Sequence, residues 1–519
     1  MKTTTHQPIR ARLRLFLFSM LTLSVFPFVT PSPTVHASVE PNAVSVLFIV
    51  LDEAPLFPLL KTDGTINRDR YPGFASLADS STWYRNMFTT AQRTTEAVPA
   101  ILDGRFPTFK NYPYLKDHPK NLFTLLQDGK QVNAYQAITH LCPKNLCANA
   151  PSRDNTGLVN QVREFQNTVS RASTSISPSL NFAHVLLPHR PWSLVPDLRY
   201  MSDVLEYPDP RSEFLVDRRR DNYQSMLRQY VATDALIGDL VTKMKASDNW
   251  DNTMIVITAD HGITFEPGKS YRDTIDVDSP GTLEDIYRVP LFIKYPGQSA
   301  PIVSDCPVSS IDILPTVLAV NGKTIPRSIH GANLNTSCPK RTSRAIRWPD
   351  GSAKLSTSFA SVMKRVRYYD KWIDADGDVD GIYRSARSGT LLGTAVSTTA
   401  ATSKSLTWRL NLAQNYQRVG SGRLAPVPAR ASGLFFVKQD ICDKCEGLIA
   451  VNGMFVGVAS ELAGMKSGKV GQYFSSSLMT RLLQPGQNQV ELWIANWTSG
   501  KPVLHRVGPP QNTIITASK

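Results

Sequence analysis

The strongest constraint on the fold is a set of short apolar runs that each stop at a chemically active residue. Val44–Leu51 reads VSVLFIVL and stops at Asp52-Glu53. Runs of this length without polar alternation are buried on both faces, as in a parallel sheet covered by helices. Asn181–Leu187 repeats the pattern and stops at Pro188-His189, and Met254–Ala259 repeats it and stops at Asp260-His261. Val289–Tyr295 is a fourth run. Between them, Phe74–Ser80, Leu122–Gln127 and Tyr223–Met244 are patterned as helices. Strands alternating with helices predict an α/β domain, a layered and mostly parallel sheet flanked by helices. Ligands of such sheets bind at the carboxyl ends of strands. Three strand ends carrying His, Asp or Glu therefore point to one site.

The pattern changes after about Ala345, where Ser, Thr and Gly become frequent. Ser388–Thr407 is polar and low in complexity and reads as a connection. Leu434–Val437, Leu448–Val451, Phe455–Val458 and Gln489–Ile494 read as short strands, with Asn452-Gly453 and Pro485-Gly486 as turns. The expected organisation is a signal peptide over 1–37, a catalytic domain over 38–345, a connecting region over 346–407 and a smaller β-rich C-terminal domain over 408–519. Trp493 and Trp497 fall at strand spacing, as core and edge residues or as a sugar-stacking platform.

With 42% apolar and 19% charged residues, the chain is globular. Its net charge is +14, spread along the chain without a block of like charges. A nucleic-acid binder would cluster its cations. A diffuse excess suits anionic substrates and anionic envelope polymers or lipids. Lys2, Arg10, Arg12 and Arg14 precede an apolar run from Leu15 to Val29, and Val35-His36-Ala37 follows. This predicts a secretory signal cut after Ala37, with an uncleaved N-terminal anchor as the alternative. The expected location is secreted, periplasmic or otherwise outside the cytoplasm. The six cysteines fall as three sequence-local pairs, 142–147, 306–338 and 442–445. Sequence leaves connectivity open. Local disulfides are the economical expectation in an exported protein, against a redox or zinc role for Cys442 and Cys445.

Asp52 with Asp260-His261 supplies two carboxylates and an imidazole, the donor set of a divalent-metal site. Singly, Asp52 also reads as a helix cap and Asp260 as a turn residue before Gly262. The segment from Thr94 to Arg105 opens with hydroxyls and runs into a short apolar helix stopped by Gly104. Thr94 and Thr95 read either as plain N-caps or as a nucleophile at the positive end of a helix.

Together these residues resemble the alkaline phosphatase/sulfatase superfamily, from about Val44 to Arg327. The first strand with Asp52 looks like its first metal-binding motif. Leu102-Asp103-Gly104-Arg105 looks like the end of its nucleophile helix, commonly Leu-Thr-Gly-Arg. Pro188-His189-Arg190-Pro191-Trp192 resembles its His-x-Pro element, and Thr258-Ala259-Asp260-His261-Gly262 its Asp-His-Gly motif. Arg288-Val289-Pro290-Leu291 and Ser310–Thr316 look like its later segments. The resemblance implies an alkaline phosphatase-like catalytic domain with Thr94 as nucleophile and Thr95 as the fallback. It implies a metal held by Asp52, Thr94, Asp260 and His261, manganese first, with zinc, calcium or magnesium as alternatives. His189 would bind substrate or protonate the leaving oxygen, and Arg105 and Arg93 would contact substrate anions. Glu53 would be a ligand or stand behind one, and His184 would be a core residue or stand behind the ligands. Asp305, Asp312 and His330 are candidates for a second ion, with Asp312 better suited to orienting its loop.

One departure matters. Sulfatases carry Cys or Ser followed by x-Pro-x-Arg, oxidised to formylglycine, and this chain reads Thr94-Thr95-Glu96-Ala97-Val98. A threonine nucleophile resembles the phosphoryl-transferring members, such as lipoteichoic acid synthase and the phosphoethanolamine transferases. The expectation is an exported metal-dependent enzyme that hydrolyses or transfers a phosphoryl-type ester. Its partner would be an anionic ester, lipid- or polymer-linked, with peripheral contact to the cell envelope and no nucleic acid. The alternatives are a sulfuric ester hydrolase with an unmodified threonine, and a degenerate member that binds envelope or glycan.

Overall fold

The computed structural model describes residues 44–147, 157–202, 216–384, 387–442, 445–459, 467, 472–498 and 500–511. The signal peptide expected over 1–37 lies outside them. The first apolar run forms β1, Ser45–Asp52, and all eight of its residues are buried. The other strands of its sheet are β2 (Thr82–Tyr84), β3 (Gln131–Gln136) and β4 (Ser179–Pro188). After β5 (Tyr200–Met201), which lies elsewhere, come β6 (Thr253–Ala259), β7 (Leu291–Lys294) and β8 (Ile302–Ser304). The order is β3-β4-β1-β6-β7-β2-β8. The neighbours β3, β4, β1 and β6 run parallel. The Val289–Tyr295 run contributes β7, antiparallel to β6, and β2 is antiparallel to β7 and parallel to β8. The sheet is thus mixed, with a parallel centre.

Helices flank it: α1 (Pro72–Ala78), α2 (Thr94–Asp103), α3 (Leu122–Leu126), α4 (Leu158–Thr174), α5 (Val216–Lys245), α6 (Pro280–Tyr287), α7 (Ile313–Val320) and α8 (Ala360–Asp370). The residues of α5 at helical spacing, Met226 to Val241, are buried, as an amphipathic stripe requires. Helix α8 and the hairpin β9 (Ser343–Trp348) with β10 (Gly351–Ser356) lie where a connecting region was expected to begin. Arg365 of α8 donates to both oxygens of buried Asp285 on α6, at 2.7 Å each. That bidentate pair ties the segment to the back of the site.

The C-terminal strands are β11 (Leu406–Leu410), β12 (Pro426–Val427), β13 (Arg430–Val437), β14 (Cys445–Val451), β15 (Met454–Ala459), β16 (Gln472–Ser477), β17 (Val490–Thr498) and β18 (Lys501–Gly508). They make two antiparallel sheets, β11-β13-β16 and β15-β14-β17-β18. Asn452 and Gly453 both take positive φ, 50° and 78°, the turn expected there. Trp493 and Trp497 are buried, so they are core residues and not a platform. Strand β12 pairs with β5, and Arg430 of β13 bonds Asp221 of α5 at 3.3 Å. All six cysteines form the three local disulfides. Among the described residues, no helix is long and apolar enough to cross a membrane.

Candidate active site and metal centre

Three adjacent parallel strands set the site. Val50 of β1 stands beside His184 of β4 and Thr258 of β6. The carboxyl ends of these strands therefore deliver Asp52, Pro188-His189 and Asp260-His261 to one edge. Side chains alternate between faces along a strand, so Asp52, two residues beyond Val50, shares a face with His184. The Asp260 amide donates to the Leu51 carbonyl at 3.0 Å, extending the pairing one residue past β6. Gly262 follows because nothing larger fits: a Cβ there would lie 2.1 Å from the Asp285 carbonyl oxygen. Glu53 has φ 57°, a left-handed conformation uncommon outside glycine. The strained turn directs its fully buried carboxylate back into the site.

Asp260 is anchored through one oxygen. Its Oδ1 accepts the His261 amide at 2.6 Å and the Glu53 amide at 3.3 Å. Its Oδ2 accepts no hydrogen bond, and neither does Oδ1 of Asp52. His184 is fully buried, with Nε2 3.2 Å from Asp52 Oδ2 and 3.9 Å from Asp260 Oδ2. Asp52, His184 and Asp260 each offer a ligand atom within 4.8 Å of the others, the one such group among the described residues. Buried polar atoms are ordinarily satisfied. Unpaired carboxylate oxygens converging with an imidazole fit a divalent cation, and the oxygen-rich donor set suits a hard or borderline one.

His261 approaches from the other side. Its Nε2 lies 3.3 Å from Asp260 Oδ2 and 3.8 Å from Asp52 Oδ1. Its Nδ1 lies 3.0 Å from the Gly262 carbonyl. A carbonyl only accepts, so Nδ1 carries the proton and Nε2 presents its lone pair to the cluster. Burial, then the Arg272 charge, pushes this imidazole well below its usual range. Burial and the Asp52 charge push Asp260 well above the carboxylate range. Burial also acts upward on Asp52, but His184, His189 and His261 hold it well below.

Thr94 is the first residue of α2, and the cap position falls on Arg93, whose side chain makes no capping bond. Thr94 is thus not the plain cap that sequence allowed. Its hydroxyl donates to Asp52 Oδ2 at 3.2 Å and lies 3.4 Å from His261 Nε2, at the positive end of the helix.

Arg272 has no motif to announce it. Its Nε lies 2.8 Å from Glu53 Oε1. Its Nη1 bonds His261 Nε2, and its Nη2 bonds His189 Nε2 at 3.2 Å. Burial acts to lower its pKa, but Glu53, Asp52 and Asp260 raise it overall. His189 sits partly exposed at the rim, its Nδ1 bonded to the Arg190 carbonyl and its Nε2 3.7 Å from Glu53.

The structure therefore brings together Asp52, Thr94, Asp260, His261 and His189, and adds His184 and Arg272. It does not bring Arg105 to them. Arg105 follows the far end of α2, donates to the Ser328 carbonyl at 3.1 Å and lines a separate cavity. Asp305 pairs with Arg85 at 2.8 Å on the surface. Asp312 is buried, accepting the Ser309 and Ala332 amides at 2.8 Å each and pairing with Arg341. It orients its loop. His330 accepts the Phe106 amide at 3.1 Å. Neither Asp305, Asp312 nor His330 joins the metal cluster.

Comparison with known proteins places these residues in context. The family model described as Sulfatase matches residues 45–323. The ulvan-active sulfatase of Formosa agariphila is 26% identical over 180 residues, 34% of this chain and 34% of that protein. The N-acetylglucosamine-6-O-sulfatase of Bacteroides thetaiotaomicron is 30% identical over 145 residues, 27% of this chain and 24% of that protein. The alignments span about a third or less of these relatives' length. Among solved structures, a 2-O GAG sulfatase superposes with TM-score 0.47 at 12% identity, over 59% of this chain and 78% of that one. A phosphonate monoester hydrolase from Silicibacter pomeroyi gives 0.42 at 17%, over 58% and 79%.

Proposed function

This chain belongs to the sulfatase family, and from that membership we propose that it is an exported, metal-assisted hydrolase of sulfuric esters carried on a glycan. The observation that carries the reading is the Thr94 hydroxyl, held at a helix N-terminus against Asp52 and His261 beside unpaired carboxylate oxygens. The two relatives named above are sulfatases by name, one named for ulvan and one for an amino sugar. That favours a sulfate ester over the phosphoryl transfer expected first from sequence. The two esters present similar tetrahedral oxyanions, so the cluster alone does not separate them.

The chain's own groups divide the work. Asp52, Asp260, His184, His261 and the Thr94 oxygen are the groups that would hold a divalent cation, manganese first. Bound there, the cation would supply Lewis-acid stabilisation of developing negative charge. Arg272 and the free N–H groups at the start of α2 receive the sulfate oxygens. The Thr94 proton has Asp52 Oδ2 as its acceptor, at 3.2 Å. As it leaves, Thr94 Oγ1 attacks sulfur, the S–O bond to the glycan breaks, and the leaving oxygen takes a solvent proton through His189 at the rim. Water then attacks sulfur in the threonine sulfate, restoring the hydroxyl and releasing hydrogen sulfate. Burial of Asp52, Glu53, Asp260 and His261 keeps bulk water from competing for these contacts.

A phosphoryl ester is the second reading, favoured by one observation. Thr94 is followed by Thr-Glu-Ala-Val and lacks the Cys/Ser-x-Pro-x-Arg setting of formylglycine. Paired chromogenic sulfate, phosphate monoester and phosphate diester substrates decide between them, with manganese, with chelator and with Thr94→Ala. Metal-dependent sulfate release that disappears in the variant supports the first reading. Phosphate release with sulfate silent replaces it with the second. Sulfate release untouched by Thr94→Ala removes the threonine nucleophile.

A further inference from the structure

We propose that the segment from Arg105 to Lys120, with His140, is a binding face for an anionic polysaccharide. The proposal rests on the sulfuric-ester reading of the Thr94 site and names the polymer that site serves. Tyr112 is 67% exposed and Tyr114 40% exposed. Their ring centroids lie 6.2 Å apart with planes 17° from parallel. Tyr114 and His140 continue the stack at 5.8 Å and 12°. The three nearly parallel rings run in series from half-buried His140 to exposed Tyr112. Exposed rings of this size keep apolar surface in water. Here the backbone holds them so: the Leu115 amide donates to the His140 carbonyl and the His140 amide to the Pro113 carbonyl, both at 2.9 Å. Asp117 adds a bond from the Tyr112 amide at 2.8 Å. The ladder is fixed in place, which lowers the entropic cost of binding across it.

The same segment carries Arg105, Lys110, Lys116 and Lys120 against one carboxylate, Asp117, and the three lysines are exposed. It also walls a cavity of about 290 Å³ along α2, lined by Thr95, Glu96, Asn111 and His118 among others. There His118 Nδ1 donates to Asp103 Oδ2 at 2.7 Å. The resemblance places Asp103 where the family commonly has threonine, so this pair belongs to this chain's own cavity. The cavity's lining includes Thr95, the residue after Thr94 in sequence.

The parts match one ligand class. Ring faces suit the C–H faces of pyranoses, planar polar side chains suit hydroxyls, and exposed ammonium groups suit sulfates or carboxylates. Aromatic rings with cations also suit single-stranded nucleic acid. Glu96 and Asp103 in the cavity favour the polysaccharide: they accept protons from sugar hydroxyls, which a sulfated glycan keeps on its rings and single-stranded DNA lacks along its chain.

Affinity electrophoresis of the folded full chain tests this, in gels containing dextran sulfate, neutral dextran or single-stranded DNA. The variant is Tyr112→Ala with Tyr114→Ala, both exposed and its fold checked by circular dichroism; its charge is unchanged. The expected result is retardation by dextran sulfate alone, with affinity about tenfold weaker in the variant. Equal retention of both proteins, or none of the wild type, overturns the proposal. Equal retardation by neutral dextran removes the anionic part and overturns it as stated. A tyrosine-dependent shift in DNA gels overturns it in favour of nucleic acid. Retention is read without turnover. Loss of the sulfuric-ester reading would show only with the chromogenic sulfate, so the two failures are distinguishable.

Discussion

Replacing Asp260 by asparagine separates the charge of the cluster from its shape. Asp260 Oδ1 accepts two backbone N–H groups, at 2.6 and 3.3 Å, and an amide oxygen can accept both. What changes is Oδ2, which faces the Asp52 carboxylate inside a group 4.8 Å across. Two like charges at that separation cost about 3 kcal/mol at an effective dielectric of ~20. Burial and Asp52 raise the Asp260 pKa well above its usual range. The metal-free protein therefore relieves part of this cost by binding a proton. The expected gain for Asp260→Asn without metal is thus on the order of 1–2 kcal/mol. With manganese the order reverses. A cation at about 100 times its dissociation constant adds about 2.7 kcal/mol to the wild type and far less to the variant. Denaturant unfolding in chelator and in manganese measures both. A variant less stable than wild type in chelator, with an undiminished response to manganese, would refute the like-charge account.

Three further outcomes follow from the structure. Arg272→Gln removes a guanidinium that reaches Glu53, His261 and His189; kcat/KM should fall roughly 30- to 100-fold, with partial return in Arg272→Lys, measured on the chromogenic ester. Asp234 accepts the Gly73 and Phe74 amides at 2.9 and 2.7 Å, and burial raises its pKa to about 7. A raised carboxyl binds its proton more tightly folded than unfolded, so its contribution is complete at low pH. It is lost as pH rises from about 4 through 7, on the order of 4 kcal/mol in all. Urea unfolding across that range should show a steeper decline in wild type than in Asp234→Asn. Cys306–Cys338 closes a loop of sequence separation 32, so Cys306→Ala with Cys338→Ala should cost about 4 kcal/mol by loop entropy, read by the same unfolding assay.

The parallel centre of the sheet was legible because β1, β4 and β6 are buried on both faces, which leaves unbroken apolar runs. Strand β3 was not: its burial alternates, and QVNAYQ at the sheet's edge carries little apolar signal. Strands β2 and β8 have three residues each, too few for any period to register. Helix α4 escaped for a different reason. Its buried face includes Gln161 and Thr168, which interrupt the apolar stripe. Both are satisfied in place, Gln161 by donating to the Tyr135 hydroxyl at 2.7 Å and accepting the Leu186 amide at 2.9 Å, and Thr168 by donating to the Glu164 carbonyl at 2.8 Å. The antiparallel direction of β7 is likewise invisible in an apolar run.

For the site, legibility ended where residues stop being neighbours in sequence. Asp52, Thr94, Asp260 and His261 mark the ends or starts of elements, so a pattern finds them. His184 lies inside a strand among apolar residues and reads as core. Only the pairing of Val50 with His184 puts it on the face that Asp52 occupies two residues later, and strand parity then makes its place at the cluster a consequence of register. Arg272 lies eleven positions past His261 in an irregular stretch, and only the fold returns it to Glu53. These two additions alter the charge inventory. Asp52, Glu53 and Asp260 bring three carboxylates into a nearly dry space, and Arg272 returns one positive charge. Burial holds the His261 imidazole well below its usual range, so it adds no charge. With Asp260 ionised, as a bound cation would keep it, two negative charges are left to balance, and burying them unbalanced costs several kcal/mol each. A single divalent cation brings the sum to zero. The four residues legible in sequence suggested a metal by their donor types; Glu53 and Arg272 add a carboxylate and a guanidinium to that set, and the excess of carboxylates over cations favours a cation there.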